Sequence, residues 1–435
     1  MAESVMSNTE PAAAPPSVYR TDAVPPLATP PLDRDRRVSV AIVGAGIVGL
    51  STALHLAEAG TEVIVIDAQE PGWGASGNNG GQLNPGLKYD PAVIEATYGL
   101  DLGRRMVRFA YDTTNYTFDL IRRLGIDCSA RQNGTLRAAY SEAGVGGVEA
   151  TARQCQERGM PVELLDAAAA ARMTGTDRYK VALLDKRGGD LHPLNYTRGL
   201  AKAAAAAGAS VHGQTPAMHL QRAGGQWRIT TPSATILADK ILLATNGFTD
   251  DLWPGLRRTI VPVFSAIAAT DPLPDEIAES ILPDRCSTYE SGRITVYFRV
   301  DQANRLLMGG RGPMRSVTRP DQITYLTRYA ARLWPALADV PWRYGWNSQL
   351  AVTKDHWPHI HEPAETALAY LGCNGRGVAL GTAIGRQLAN RLIHGRAFDL
   401  DMPIVSMKPI RFHGFWPLGV RAIVIHGRIC DRLGI

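Results

Sequence analysis

The chain has 435 residues, of which 45% are hydrophobic and 20% are charged, as expected of a globular protein built from two or three units. The net charge of +5 is modest and its basic residues are scattered, so the composition does not indicate a nucleic-acid partner. Five cysteines without a CxxC pair argue against a disulfide framework and a zinc site; we predict no metal and favour a reducing, cytoplasmic setting.

The N-terminal segment, residues 1–36, is rich in proline and alanine and has no apolar stretch typical of a signal peptide. We expect it to be a disordered lead. No uninterrupted apolar run reaches the ~18 residues needed for a transmembrane helix.

The first regular elements are those of a βαβ unit. Val38–Val43 is short, apolar and β-branched, which is typical of a strand that is buried on both faces. A glycine turn follows, and Gly49–Ala59 then predicts a helix that ends at Gly60. Thr61–Asp67 predicts a second strand.

Further elements of the same kind occur in two later parts of the chain. Pro193–Ala207 predicts a helix because it has proline near its start and Gly208 after its end. Val378–His394 predicts another helix after a glycine-rich turn. The strands predicted in these parts are Ser210–His212, Trp227–Thr231, Ala234–Leu237, Lys240–Thr245 and Leu368–Gly372.

Two stretches of different character interrupt this α/β series. Leu100–Gly175 has a mostly helical pattern, and Val261–Trp346 is rich in strands, with alternation in Arg293–Arg299. We therefore predict an α/β fold in which a second domain is inserted twice into the first. The expected first domain comprises residues 37–100, 181–255 and 346–405, and the expected inserted domain comprises residues 101–180 and 256–345.

The C-terminal segment, residues 406–435, is predicted to be a basic, amphipathic extension. Pro417–Ile435 mixes aliphatic residues with Arg421, His426 and further arginines. This composition suits a helix that lies on a membrane surface. A helix packed on its own domain is the more common case, so a peripheral membrane contact stays open without being favoured.

The pattern Gly44-x-Gly46-x-x-Gly49 follows the first strand and opens the first helix. Gly44 allows a tight turn, Gly46 allows a pyrophosphate to approach the backbone, and Gly49 allows the helix to pack closely on the strand. The pyrophosphate then lies at the helix N-terminus, where N–H groups and the helix dipole favour an anion. Asp67 ends the second strand at the spacing of a carboxylate that accepts ribose hydroxyls. The sequence therefore predicts a dinucleotide site.

Two further glycine-rich segments favour FAD as the dinucleotide. Gly72–Gln82 follows Asp67 and presents backbone N–H groups and short side chains to a long phosphate and ribityl chain. Gly372–Thr382 precedes the last predicted helix, whose N-terminus suits negative charge at the flavin pyrimidine edge. No second strand–GxGxxG–helix unit and no paired redox cysteines are visible, which argues against an NAD(P)H-linked flavoenzyme.

These features resemble the D-amino-acid oxidase-like superfamily, which includes glycine oxidase, sarcosine oxidase and D-amino-acid dehydrogenase. The resemblance covers roughly residues 37–400 and rests on Asp67 and on the segments Gly44–Gly49, Ala75–Gln82, Ala244–Gly247 and Gly372–Gly381. Within the superfamily, the gamma-glutamylputrescine oxidoreductase group is the most similar, on Gly188–Tyr196, Arg305–Gly310 and Trp346–Ile360. The resemblance implies a Rossmann-like FAD-binding domain with an inserted α+β substrate domain.

The resemblance also implies a reaction. The flavin accepts a hydride from a C–H next to an amine nitrogen, the imine product hydrolyses in water, and oxygen or a quinone takes the electrons. No protein base is obligatory, because the free amine can lose its proton first. The alternatives are a D-amino-acid dehydrogenase that passes electrons to a quinone and, from another class, a non-catalytic or RNA-modifying FAD-binding protein.

The residues expected to contact FAD come from the three glycine-rich segments and the strands beside them. Besides Gly44, Gly46, Gly49 and Asp67, they are Ile47, Val48, Ala68, Ala75, Ser76, Gly77, Asn79, Gly80, Gly81, Gln82, Ala217, Ala244, Thr245, Asn246, Gly375, Arg376, Gly377, Val378, Ala379 and Thr382.

Four positions depart from patterns in the superfamily. Some relatives attach flavin through a cysteine near the position of Ser348, and others through a histidine where this chain has Asn78 and Asn79, so we predict non-covalent FAD. In sarcosine oxidases a lysine holds the substrate carboxylate. The matching position in this chain is close to Ala379, which argues against small N-methyl amino acids as substrates. The position that matches their oxygen-activating lysine is near Thr295 in this chain, so we do not expect the reduced flavin to react fast with oxygen.

The substrate candidates come from the inserted domain and the last glycine turn. An arginine there can bind a carboxylate through two parallel hydrogen bonds. An ion pair for each arginine, and a core position for the tyrosine, remain open. The candidates are Tyr297, Arg299 and Arg311 in the strands expected above the flavin, and Gln349, Asn374 and Arg376 near its edge.

Overall fold

The computed structural model describes residues 14–433, which form two large sheets with helices packed on them. The strands, in chain order, are β1 (Arg36–Val43), β2 (Val63–Ile66), β3 (Gln82–Leu83), β4 (Thr135–Ala139), β5 (Val162–Asp166), β6 (Val181–Asp185), β7 (Gly189–Asp190), β8 (Ser210–His212), β9 (His219–Ala223), β10 (Gln226–Thr230), β11 (Thr235–Leu243), β12 (Ile260–Thr270), β13 (Ser287–Glu290), β14 (Tyr297–Val300), β15 (Leu306–Arg311), β16 (Trp342–Thr353), β17 (His359–Ala364) and β18 (Ala367–Leu371).

Ten α-helices connect or cover these strands within the same residues. They are α1 (Ile47–Glu58), α2 (Ala75–Asn78), α3 (Pro91–Leu124), α4 (Glu142–Glu157), α5 (Ala167–Thr174), α6 (Pro193–Ala206), α7 (Asp275–Ser280), α8 (Thr324–Leu333), α9 (Gly377–His394) and α10 (Trp416–Leu433).

The first sheet has β1 at its centre, in parallel register with β2 on one side and β11 on the other. Strands β8 and β18 extend the parallel part, while β17, β10 and β9 add antiparallel strands. In β1, Val40 and Ile42 face the core under α1, α6 and α9, and Ala41 and Val43 face a second core on the opposite side. Burial on both faces explains why this strand is a continuous apolar run.

The second sheet has the order β16-β12-β15-β14-β13-β4-β6-β5, and its strands pair antiparallel except for β13 with β4. Phe298 and Val300 of β14 face the same core as Leu306 and Met308 of β15. Helix α8 covers this core with Leu326 among others. Only Tyr297–Val300 of the predicted Arg293–Arg299 strand is extended and paired, because residues 293–296 form a loop.

Three predicted domain boundaries are wrong. Residues 181–185 form β6, which pairs with β4 and β5 of the second sheet. Residues 342–353 form β16, which pairs with β12 along its whole length, so the first domain resumes only after Thr353. Conversely, residues 101–124 of α3 pack on the core of the first domain through Met106 and Phe118. An apolar strand or helix fits either domain, and only long-range pairing decides which one it joins.

The prediction of a disordered lead is wrong for residues 14–36. Val18 and Tyr19 are fully buried in a short 3₁₀ turn, and they pack with Leu194 and Trp346. The Tyr19 and Trp346 rings meet edge-on with their centroids 5.4 Å apart. A few apolar residues thus hold a segment whose overall composition is typical of disorder. The rest of the predicted lead, residues 1–13, lies outside the described residues.

The C-terminal helix α10 covers the region where a helix was expected. Its Gly427 closely approaches Ile294 in the loop before β14. Within the part of the chain that the structure describes, no helix combines the length and the apolar composition needed to cross a bilayer. The five cysteines are all unpaired.

Candidate active site

The glycine turn between β1 and α1 forms a narrow cradle. Gly44 has a φ of +112°, a backbone conformation that favours glycine. A Cβ on Gly49 would lie 2.0 Å from the Gly44 carbonyl oxygen, and a Cβ on Gly46 would lie 2.8 Å from Ser76 Oγ. The same hydroxyl accepts a hydrogen bond from the Ile47 backbone N–H at 3.0 Å. The turn therefore requires glycine for helix packing at Gly49 and for open space beside the helix N-terminus at Gly46.

Asp67 holds the turn from the end of β2. Its Oδ2 accepts a hydrogen bond from the Ala45 N–H at 2.7 Å, and its Oδ1 accepts one from the Gln69 N–H at 2.9 Å. Burial raises the pKa of Asp67 to about 6, although these two backbone hydrogen bonds act in the opposite direction. The carboxylate thus has a fixed orientation and lines a pocket beside the glycine turn.

Two adjoining cavities run along this edge of the first sheet. The smaller has a volume of about 150 Å³ and is lined by Gly44, Asp67, Ala68, Ala217 and Thr245, among others. The larger has a volume of about 480 Å³ and extends to the second sheet. The lining residues that the two cavities share are Gly46, Ala75, Ser76, Ala244 and Asn246. Together they form a continuous site for an extended ligand.

Four polar atoms in the wall of the larger cavity fit a bound ligand. Asn78 Oδ1, Asn84 Oδ1, Ser348 Oγ and the Tyr370 hydroxyl are buried and have no hydrogen-bond partner among residues 14–433. Buried polar atoms normally find a partner, so these four indicate a polar ligand in the cavity. The glycine cradle, the Asp67 carboxylate and these unpaired atoms together fit an FAD molecule that extends from the smaller cavity into the larger one.

Comparison with known proteins agrees with this fit. The profile of the FAD dependent oxidoreductase (DAO) family matches residues 39–391. The chain belongs to this family. It is an FAD-dependent oxidoreductase that acts on an amine or amino acid, and its relatives include amine and amino-acid oxidases and dehydrogenases.

Two curated relatives cover most of the chain. The gamma-glutamylputrescine oxidoreductase of Escherichia coli K12 is 32% identical over 366 residues, which are 83% of this chain and 85% of that protein. The probable oxidoreductase OrdL of Haemophilus influenzae is 29% identical over 369 residues, 84% of this chain and 85% of that protein.

A solved structure shows the same fold. The crystal structure of glycine oxidase from Geobacillus kaustophilus superposes with a TM-score of 0.73 at 21% identity, covering 84% of this chain and 97% of that one. This similarity confirms the predicted two-domain fold, and the family match confirms FAD as the cofactor.

Most of the predicted FAD residues lie in the cavity walls of this family member, but five do not. Gly49 and Gly77 serve packing, since a Cβ on either would lie about 2 Å from a backbone carbonyl oxygen. Gly81 has a φ of +72° and lies against Leu191 and Arg299. Ala379 is buried in the core of the first domain. The Thr382 hydroxyl shares a hydrogen bond of 2.7 Å with the Tyr196 hydroxyl.

Arg299, predicted as a substrate-binding residue, lies outside the lining of both cavities, so the structure does not bring it together with the other substrate candidates. Its guanidinium is buried and donates to the Gly80 carbonyl at 2.7 Å and to Asp190 at 3.2 Å. Asp190 also accepts hydrogen bonds from Arg131. Arg299 therefore anchors the glycine-rich loop to the second sheet, which is the ion-pair alternative that the sequence left open.

Gln349 and Asn374 have structural contacts. The Gln349 amide donates to the Gly247 carbonyl and lines the smaller cavity, on the nucleotide side, so it is not placed with the other substrate candidates. Asn374 lines the larger cavity, but its amide nitrogen donates to the Gly372 carbonyl and its oxygen accepts from the Thr353 N–H. Gln349 therefore holds the segment Ala244–Gly247, and Asn374 holds the last glycine turn.

Tyr297, Arg311 and Arg376 do line the larger cavity. The Tyr297 hydroxyl shares a hydrogen bond of 2.8 Å with Ser265 Oγ, and its ring lies against Gly80. Arg376 donates to the Pro85 carbonyl at 2.6 Å and to the Tyr289 hydroxyl at 3.1 Å. These contacts bring the last glycine turn, the loop after β3 and the second sheet to one cavity.

Sequence reasoning missed three cations of the larger cavity, Lys88, Arg137 and Arg293. Arg137 pairs with Asp90 at 3.2 Å. The side chains of Lys88 and Arg311, by contrast, have no hydrogen bond or ion pair with any of residues 14–433. No motif surrounds Lys88 or Arg137, so nothing in the linear sequence indicates that they share a cavity with Arg311. The fold alone brings them together.

The electrostatics of this cavity are positive. Desolvation lowers the pKa of Lys88, and the positive charges of Arg376, Arg311 and Arg137 lower it further. Desolvation also lowers the pKa of Arg311. The acids of the cavity wall already have partners: Asp90 has Arg137, Asp185 has Arg187, and Glu290 accepts hydrogen bonds from two tyrosine hydroxyls. A ligand with negative charge would offset this excess of cations.

Proposed function

We propose that this FAD-dependent oxidoreductase oxidises an amine that also carries a carboxylate, with gamma-glutamylputrescine as the leading substrate. The observation that carries the proposal is the pair of unpartnered cations, Lys88 and Arg311, in the larger cavity. The similarity to the Escherichia coli gamma-glutamylputrescine oxidoreductase supports it.

A carboxylate suits these two cations because neither has an acid of its own. An arginine presents parallel N–H donors that match a carboxylate, and a lysine adds a point charge. A diamine without a carboxylate would bring only positive charge to a cavity that already contains unpaired cations. We therefore expect free putrescine to be a poor substrate, although its reacting amine is the same.

The positive cavity also favours the reactive form of the amine. Nearby cations disfavour an ammonium ion, so they lower the pKa of a bound amine and release its proton without a dedicated protein base. FAD, when bound, supplies the hydride acceptor for the C–H next to the nitrogen, and the imine then hydrolyses in water. Lys88 and Arg311 would hold the carboxylate, while Tyr297 and Gly80 shape the wall beside it.

The test compares three amines with the FAD-loaded protein under anaerobic conditions. Gamma-glutamylputrescine should bleach the visible absorption of the flavin. N-acetylputrescine keeps the reacting amine and the amide but lacks the carboxylate, and putrescine lacks both. Each should show a kcat/KM at least about tenfold lower, which is the value of one charge-assisted hydrogen bond. Equal rates with all three amines would refute the role of the cations.

Two variants localise the effect. Arg311→Met should raise the KM for gamma-glutamylputrescine about 10- to 100-fold. The KM for N-acetylputrescine should change little, because this amine has no carboxylate for Arg311 to bind. Lys88→Met should act in the same direction. Lys354→Met is the matched control, since Lys354 is exposed and lies outside the cavity. A panel of amines and D-amino acids that leaves the flavin oxidised would overturn the amine assignment itself.

A further inference from the structure

The C-terminal helix α10 has apolar side chains on two faces. On the inner face, a Cβ on Gly427 would lie 3.0 Å from Ile294 Cδ1, which shows how closely the helix approaches the body of the protein. On the outer face, Leu418, Ile425 and Ile429 are 61%, 60% and 53% exposed. Spacings of seven and four residues place these three side chains on one stripe of the helix. The close approach at Gly427 does not account for the exposed outer stripe.

Two exposed aromatic side chains lie in the segment just before the helix. Phe412 and Phe415 are 68% and 66% exposed. Of the eleven large hydrophobic side chains that are most exposed among the described residues, seven lie beyond residue 400. The exposed apolar surface is therefore concentrated at one end of the chain, and such concentrations mark interaction surfaces. We call Phe412, Phe415, Leu418, Ile425 and Ile429 the C-terminal apolar patch.

The charge around this patch selects its partner. Lys408, Arg411 and Arg421 are exposed beside it. Between residues 404 and 435 the sequence has five lysines or arginines and a single acid, Asp431. A second copy of the same basic segment would be repelled, whereas an anionic lipid surface would be attracted. Apolar side chains flanked by basic residues and aromatic rings are the composition of a helix at a membrane interface.

We propose that α10, together with residues 412–415, docks on the surface of a bilayer that contains anionic lipids. The helix lies parallel to the surface, with Leu418, Ile425 and Ile429 among the acyl chains and the basic side chains at the headgroups. Gly427 approaches Ile294, which also lines the larger cavity. Docking therefore places one wall of the active-site cavity on the membrane side of the protein.

The test uses the full-length, FAD-loaded protein and sucrose-loaded vesicles that are collected by sedimentation. Vesicles of phosphatidylcholine with phosphatidylglycerol should bind the protein at least about tenfold more tightly than vesicles of phosphatidylcholine alone, because each basic residue near an anionic surface adds to the attraction. Added salt should weaken the binding to the anionic vesicles.

A matched pair of variants tests the stripe. Ile425→Glu should weaken binding to the anionic vesicles about tenfold or more, because a charge replaces an apolar side chain that enters the bilayer. Ile423→Glu is the control: Ile423 is 69% exposed on the same helix, but its two-residue offset from Ile425 places it on another side. It should change the affinity less than about threefold. Neither residue lines the cavities, so flavin content reports whether each variant has folded.

Three results would overturn the proposal. One is the absence of binding to anionic vesicles at low salt. Another is an equal loss of affinity in both variants, which would show a general charge effect. The third is a dimer in sedimentation equilibrium that Ile425→Glu abolishes, which would assign the stripe to a second copy of the chain. Each readout is independent of turnover, so the proposal stands or falls separately from the substrate assignment.

Discussion

The protonation of the Asp67 carboxyl group predicts a pH dependence of FAD binding. In the structure, burial raises the pKa of this carboxyl group to about 6, so without FAD it is protonated below that pH and ionised above it. The ribose hydroxyls of FAD donate to a carboxylate at this position. FAD therefore binds the ionised form, and its affinity should fall as the pH drops through about 6.

The size of the effect follows from the ionised fraction. With a pKa of about 6, roughly half of the protein is ionised at about pH 6 and roughly one molecule in eleven at about pH 5. If only the ionised form binds, the dissociation constant of FAD rises about twofold at the first pH and about tenfold at the second, relative to about pH 8. A group with its ordinary Asp pKa would give almost no change over this range.

The assay titrates FAD-free protein with FAD and follows the quenching of flavin fluorescence at several pH values. Asp67→Asn is the control, because asparagine has nearly the same shape and does not titrate in this range. It should bind FAD more weakly, with an affinity that is flat with pH. Circular dichroism at each pH checks that the protein stays folded. A wild-type affinity that is flat between about pH 5 and 8, or the same slope in Asp67→Asn, would refute the reasoning.

Three more predictions concern the flavin site and its support. Arg299→Met should destabilise the fold by about 3 kcal/mol in denaturant unfolding, since it removes a buried ion-pair partner of the Asp190 carboxylate. Arg319→Met removes only an exposed ion pair and should cost less than about 1 kcal/mol. Gly49→Ala should cost about 3 kcal/mol and reduce the FAD content, because its Cβ meets backbone; the same change at the unobstructed helical Gly146 should be neutral or stabilising. Acid precipitation should release the flavin into the supernatant. Yellow colour that stays in the pellet would contradict non-covalent binding, and Cys373 in the cavity wall would then be the first candidate for the covalent link.

Local patterns in the sequence were enough to predict the nucleotide half of the site. The turn Gly44–Gly49, the helix after it and Asp67 lie within one βαβ unit, so their spacing along the chain is also their spacing in the structure. A Cβ at Gly49 would lie 2.0 Å from a backbone carbonyl oxygen, so no other residue fits there. Such a motif can therefore be recognised without knowledge of the fold.

The substrate half was decided by tertiary structure. Arg299 and Arg311 lie in neighbouring strands of the second sheet, yet one is buried against Asp190 and the other faces the cavity. Nothing local separates them, because an arginine's role depends on which acids the rest of the chain brings to it. Lys88 belongs to no sequence motif. It becomes a candidate only because the fold brings it close to three arginines that are distant in sequence, and their charges lower its pKa. The sequence by itself therefore determined the cofactor, its cradle and the family, while the long-range packing of two domains determined which charges are left for the substrate.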